Sequence, residues 1–222
     1  MNRHRLLLSR IVLTLVVLGW TGAAASAVTI PDPAIDTPLA KAKGEQTAVV
    51  AGGCFWGIQA VFQHVKGVIA VKAGYSGGLA RTAHYEMVGT GKTGHAESVR
   101  ITFDPSQVSY GQLLKVFFAV AHDPTELNQQ GPDTGTQYRS VIFYSNADQK
   151  RIAQAYINQL NRVGVFKRPI VTEVVVLGSF YDAEDYHQDY ALHHPDEPYI
   201  FINDLPKVEK LRQQLPDLYV AR

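Results

Sequence analysis

The chain has 222 residues, with 21 Lys and Arg against 20 Asp and Glu for a formal charge of +1. No Lys/Arg block accompanies that balance, which excludes the electrostatic footprint of a nucleic-acid binder. The single cysteine excludes an internal disulfide, while a 46% share of hydrophobic residues is enough for one packed core.

In chain order, Arg3, His4, Arg5 and Arg10 form a basic leader ahead of a short apolar run at residues 11–18. Ala23-Ala24-Ala25-Ser26-Ala27 then supplies the small residues of a cleavage site, so residues 1–27 read as a signal peptide. The run is well short of the roughly 20 residues that span a bilayer. We therefore expect an exported protein, periplasmic or secreted, with a membrane tether if the signal stays uncleaved. Residues 28–46 hold Pro31, Pro33, Pro38 and Gly44 and read as a linker or mobile arm. The folded domain is expected over 47–222.

That domain opens with a short apolar strand at 47–51 running into Gly52-Gly53. Phe55, Ile58, Val61, Phe62 and Val65 then recur at helical spacing, so a helix starts at or beside Cys54 and ends by Gly67. A strand at 68–73 closes in the turn Gly74-Tyr75-Ser76-Gly77-Gly78. After a glycine-dotted segment, 96–103 alternates as a strand with Val99, Ile101 and Phe103 on one face. Helices are expected at 109–122 and 147–160, strands at 138–144 and 170–177, and a short helix at 182–194 with Asp182 at its cap. The polar stretch 123–137 is long for a connector and suggests a binding or catalytic loop. This order predicts an α+β fold: a two-layer sandwich of helices on a mixed sheet, with a ferredoxin-like core.

Cys54, after a strand and Gly52-Gly53 and at a helix start, is the candidate nucleophile. Free backbone N–H groups and the positive end of a helix dipole there would stabilise a thiolate. Phe55 and Trp56 make a poor cradle for a charged group and a good one for a methyl or thioether, Trp56 being the better placed to line a pocket. Glu97, opening a strand, would have a raised pKa near an apolar pocket and could act as an acid. Tyr85 and Tyr138 lie at loop boundaries from which a hydroxyl could reach a site.

Three other chemistries fit a lone cysteine. A hydrolase or acyltransferase would pair Cys54 with His95 or His187, but Phe55-Trp56 offers no small oxyanion turn. A one-cysteine peroxidase would also pass through a sulfenic acid. A secreted binding module would bury the cysteine inertly. His187, His193 and His194 lie among acidic residues, but adjacent histidines diverge on a helix, and no metal is expected.

Taken together, Gly53-Cys54-Phe55-Trp56-Gly57, Ala73-Gly74-Tyr75-Ser76-Gly77-Gly78, Tyr85, Thr93-Gly94-His95-Ala96-Glu97, Asp133-Thr134-Gly135-Thr136-Gln137-Tyr138-Arg139-Ser140 and Ala183-Glu184-Asp185-Tyr186-His187-Gln188 resemble the A-type peptide methionine sulfoxide reductases. The resemblance spans 47–198 in order. It implies thiol-dependent reduction of methionine S-sulfoxide, free or in oxidised proteins, with repair as the outcome. Cys54 would attack the sulfoxide sulfur and become a sulfenic acid, Glu97 would protonate the oxygen, and Tyr85 and Tyr138 would hydrogen-bond it. Phe55 and Trp56 would hold the methyl group, Asp133 would order the polar network, and His187 and Tyr190 would complete the substrate site. No cofactor is implied. Many members of the family carry resolving cysteines in the C-terminal tail, which this chain lacks. An external thiol, whether thioredoxin-like, a glutaredoxin or a small thiol, would have to serve a monomeric enzyme.

Overall fold

Five of the six residues of strand β1 (Gln46–Ala51) are apolar or β-branched, and its buried side chains feed both faces of the sheet: Ala48 and Val50 one way, Val49 and Ala51 the other. Such a strand belongs in the middle of a sheet. The computed structural model describes residues 30–222, and there β1 lies between β3 (Ala96–Phe103) and β6 (Val141–Tyr144). The leader expected at 1–27 lies outside the described residues.

The full sheet adds β2 (Val68–Ser76), β7 (Glu173–Val176) and β8 (Phe180–Asp182), in the order β7-β6-β1-β3-β2-β8. All neighbours are antiparallel except β6 and β7, so the sheet is mixed. Helices α1 (Phe55–Gln63), α3 (Tyr110–Val116) and α4 (Ala147–Val163) pack on one face over Val99, Ile101, Phe103 and Ile142, with the short helix α2 (Tyr85–Val88) between β2 and β3. The fold is therefore α+β, with helices laid on a mixed sheet.

Local chemistry fixes the helix ends. Ser109 and Gln112 form a reciprocal capping box at α3, and Asn146 caps α4, which stops at the left-handed Gly164 (φ 69°). The helix expected through 122 changes character at Phe117, where a wider π-type turn carries the chain to Ala121.

Several expectations are corrected. Residues 30–45 are irregular but docked: Ile30 is buried, the Pro31 carbonyl accepts from Tyr156, and the Asp36 carboxylate accepts from the Gly111 N–H and the Ser109 hydroxyl. An arm that supplies a second cap to α3 is part of the domain. Strand β2 runs on to Ser76, because Tyr75 and Ser76 pair with Glu97 and Ala96. The helix expected at 182–194 is broken. Asp182 ends β8 and pairs with Arg100, Asp189 is left-handed (φ 56°), and only a 3-10 turn at Asp185–His187 and the short α5 (Tyr190–His193) are helical. Gln188 causes the break by bonding the Ala73 N–H and the Ala73 and Ala183 carbonyls, tying the chain to the edge of β2. The tail contains a helix not anticipated, α6 (Leu205–Gln214), entered through a π-type turn at Ile200–Asp204. The loop 123–137 holds a small hairpin, β4 (Gln129–Gln130) with β5 (Asp133–Thr134).

Candidate active site

The antiparallel register of β1 and β3 brings the two central groups together. The last pair is Val50 with Val99, so two residues further on Glu97 runs beside Gly52, next to the turn that delivers Cys54. Cys54 occupies the N-cap of α1 (φ −54°, ψ 125°), and the following N–H, of Phe55, donates to Glu97 Oε2 at 3.1 Å. Both glycines before it are dictated by packing. A Cβ on Gly52 would stand 2.8 Å from the His122 ring, and one on Gly53 (φ +99°) 2.5 Å from Gln130 Cγ. Gln130 in turn holds the loop closed by accepting from the Asp123 N–H and donating to the Asp123 carbonyl.

Cys54 and Glu97 line one cavity of about 240 Å³ with Phe55, Trp56, Tyr85, Asp133, Tyr138, Glu197 and Tyr199. The sites of the two expected phenols are clamped from behind. Glu184 accepts from the Tyr75 hydroxyl and from the Tyr85 N–H at the start of α2. Arg139 donates to the Gly94 and His95 carbonyls, which fixes the segment holding Tyr138 against the one leading to Glu97. On the apolar side Trp56 stacks on Tyr190 at 3.9 Å between ring centroids and donates through Nε1 to His187 Nδ1 at 3.2 Å. That bond makes Nδ1 the acceptor, so the proton of neutral His187 sits on Nε2. His187 therefore belongs to the aromatic wall, 4.3 Å from the Tyr85 ring and 5.1 Å from Phe55 between centroids.

Electrostatics correct one expectation. Burial, followed by the charges of Glu97 and Asp204, pushes the Cys54 thiol well up, and the opposing pull of the Trp56 N–H and the Lys207 charge is smaller. Desolvation thus outweighs the helix start, and the resting sulfur carries its proton. Burial also pushes Glu97 up to about 8 against the bond from Phe55, so its carboxyl is protonated at neutral pH. Desolvation pushes Tyr85 up to about 12 and Tyr138 higher still, which keeps both phenols as neutral donors.

The histidines weighed as bases are engaged elsewhere. His95 pins the turn after β2, accepting from the Gly78 N–H and reaching the Leu79 carbonyl, and does not line the Cys54 cavity. His122, packed against Gly52, is occupied by the Phe117 carbonyl and the Ser140 hydroxyl, and burial pushes it down to about 3. A cysteine–histidine hydrolase therefore has no base here. Among the described residues no three His, Cys, Asp or Glu side chains are grouped to hold a metal ion.

All nine expected site residues come together, seven in the cavity and His187 and Tyr190 behind Trp56. Sequence reasoning missed Tyr199, whose hydroxyl donates to Asp133 Oδ2, and Glu197 at the rim. It also missed Asp204, buried against Gly57 and paired with Lys207 at 3.0 Å. The helical spacing of Leu205, Val208, Leu211 and Leu215 could have revealed α6, but no local pattern marks Tyr199.

Residues 46–218 match the family model described as peptide methionine sulfoxide reductase. The chain is 60% identical over 178 residues to a peptide methionine sulfoxide reductase MsrA 2 of Mesorhizobium japonicum, covering 80% of this chain and 91% of that one. It is 54% identical over 195 residues to the MsrA 2 of Synechocystis sp., covering 87% and 91%. Among solved structures it resembles methionine sulfoxide reductase A of Corynebacterium diphtheriae, with TM-score 0.59 and 36% identity over 74% of this chain and 82% of that one. The reduced form of Mxr1 from Saccharomyces cerevisiae aligns with TM-score 0.61 and 30% identity, over 72% and 94%.

Proposed function

This chain belongs to the A-type peptide methionine sulfoxide reductases, and on that premise we propose how its own residues carry out the reaction. It is an oxidoreductase that reduces methionine S-sulfoxide to methionine and so repairs oxidised proteins. The observation that carries the mechanism is the pairing of the lone thiol with a protonated carboxyl in one cavity. Cys54 and Glu97 are adjacent in space, and burial holds a proton on each.

The sulfoxide enters with its methyl group against Phe55 and Trp56, the latter held by His187 and Tyr190. Its oxygen, which carries partial negative charge, meets Glu97 and the hydroxyls of Tyr85 and Tyr138. Glu97 gives its proton to that oxygen as the Cys54 sulfur attacks the substrate sulfur, and the thiol proton refills the carboxylate. Methionine departs and the oxygen remains on Cys54 as a sulfenic acid. Thiol and sulfoxide together contain every atom of the products, so this half-reaction needs nothing from solvent. The phenols act as preorganised donors to developing charge. Asp133, through Tyr199, orders the polar side.

Cys54 is the only cysteine, so the sulfenic acid is resolved by a thiol from another molecule, of thioredoxin type, glutaredoxin type or small. A monomer suffices, because one chain lines the whole cavity. The basic leader with its small-residue site supports export to a periplasmic or extracellular setting, and the docked residues 30–46 extend the catalytic domain expected over 47–222. The central strand order β6-β1-β3-β2, with α1 crossing between β1 and β2, supports a ferredoxin-like core.

The test is a single turnover. Reduced protein mixed with a methionine sulfoxide peptide and no thiol should form one equivalent of methionine and gain one oxygen, about 16 Da, on Cys54. Cys54→Ser should form none. Continuous turnover without thiol would overturn the mechanism.

A further inference from the structure

Cys54 lines more than one cavity. A separate cavity of about 330 Å³, within the range of small-molecule sites, shares Cys54, Asp133 and Tyr199 with the aromatic cavity but lies beyond them. Its outer wall is the unanticipated C-terminal structure: Ile202 and Asn203 of the π-type turn, then Pro206, Lys207 and Lys210 of α6. The two lysines differ. Lys207 is mostly covered and neutralises buried Asp204, whereas Lys210 is exposed and enters no ion pair among the described residues. The acids on this side are already engaged, Asp123 with Arg168 at 3.7 Å and Asp133 with Tyr199.

The chemistry of the second half-reaction requires such an entrance. Substitution at a sulfenic sulfur proceeds in line, with the incoming thiolate opposite the departing oxygen. That oxygen is held among Glu97, Tyr85 and Tyr138, so the aromatic cavity cannot admit the attacker. The lysine-rimmed cavity also has Cys54 in its wall, and none of Glu97, Tyr85 and Tyr138 lines it.

Building on the mechanism above, we infer that this cavity binds the reductant, a small monothiol bearing a carboxylate, with Lys210 steering the carboxylate and the thiol directed at Cys54. The thiolate attacks Sγ, the S–S bond forms and the S–O bond breaks. The departing hydroxide takes the Glu97 proton and leaves as water, and the proton shed by the attacking thiol returns Glu97 to its acid form. A second thiol attacks the mixed disulfide at the reductant's own sulfur, releasing the Cys54 thiolate, which regains a proton, and a disulfide of the two reductants. Two thiols are oxidised for each sulfoxide reduced.

The experiment measures regeneration of sulfenic Cys54 by 3-mercaptopropionate, which is anionic, and by cysteamine, which is cationic, in wild type and Lys210→Glu. In the variant the apparent KM should rise about fivefold for 3-mercaptopropionate and fall for cysteamine, with both changes eroded by added salt. Equal changes for the two thiols, or none, would overturn the inference, as would regeneration by a protein dithiol alone. The thiol-free burst of methionine is read separately in wild type. Its absence would sink the mechanism, whereas its presence with charge-blind regeneration would sink only this site.

Discussion

The two cavities that meet at Cys54 are built from opposite materials. The aromatic one is walled by Phe55, Trp56 and phenols around a carboxyl that burial keeps protonated. The other is bounded by polar loop residues and by α6 with its two lysines. Cys54 thus borders a proton donor in one cavity and has Lys210, unpaired among the described residues, across the other, with Tyr199 and Asp133 lining both. The contrast teaches that reduction of the sulfoxide and restoration of the sulfur make different demands, protonation of the sulfoxide oxygen in the first and capture of a charged thiol in the second. A single shared pocket would have to compromise both.

Substitutions can break that division. The largest effect is expected from Glu97→Gln, which keeps an acceptor for the Phe55 N–H but holds no transferable proton. The burst rate should fall by about 10²- to 10⁴-fold, with much less change in substrate affinity. The wild-type burst should itself decline above about pH 8 as the carboxyl ionises. The same proton affects stability. The folded carboxyl titrates near 8 against an ordinary 4.5, so its contribution is full below 4.5 and is lost as pH rises towards 8. Thermal melts should therefore favour Glu97→Gln increasingly between those values, and a constant gap would contradict a buried neutral acid.

The phenols come next. Tyr85→Phe and Tyr138→Phe should each slow the burst by up to about 10²-fold, and the double variant should be slower than either single change if both hydroxyls serve the oxygen. Regeneration by thiol should respond less in these variants, which is what separates the two sides. The smallest effect belongs to the partition. Tyr199→Phe loses the bond to Asp133 and should slow both half-reactions by roughly 3- to 10-fold. An effect confined to one half-reaction would show that Tyr199 serves only one cavity.

Much of the site was legible because its parts sit at element junctions. Gly52-Gly53-Cys54 marks a strand-to-helix turn, and Glu97 begins a strand whose alternation is plain. The positions of Cys54 and Glu97 as neighbours could be suspected from the resemblance but follow physically only from the β1–β3 register. Residues 182–194 were misjudged because their acid-rich start imitates a helix cap, while the bonds that break the helix come from Gln188 to β2, far away in sequence. The arm at 30–45 was misjudged because proline-rich composition reports local stiffness and says nothing of Asp36 capping a helix some 75 residues on.

The amino-acid order alone determined a single thiol with no internal resolving partner, the aromatic pair beside it, and the alternation that builds a sheet with one helical face. Those are local properties, set by residue type and spacing. Tertiary structure decided the protonation of Cys54 and Glu97, because desolvation depends on what the rest of the chain lays over them. It also decided that α6 walls a second cavity with Cys54 in its lining, since the side chains of a distant helix share a cavity with Cys54 only when packing brings them there.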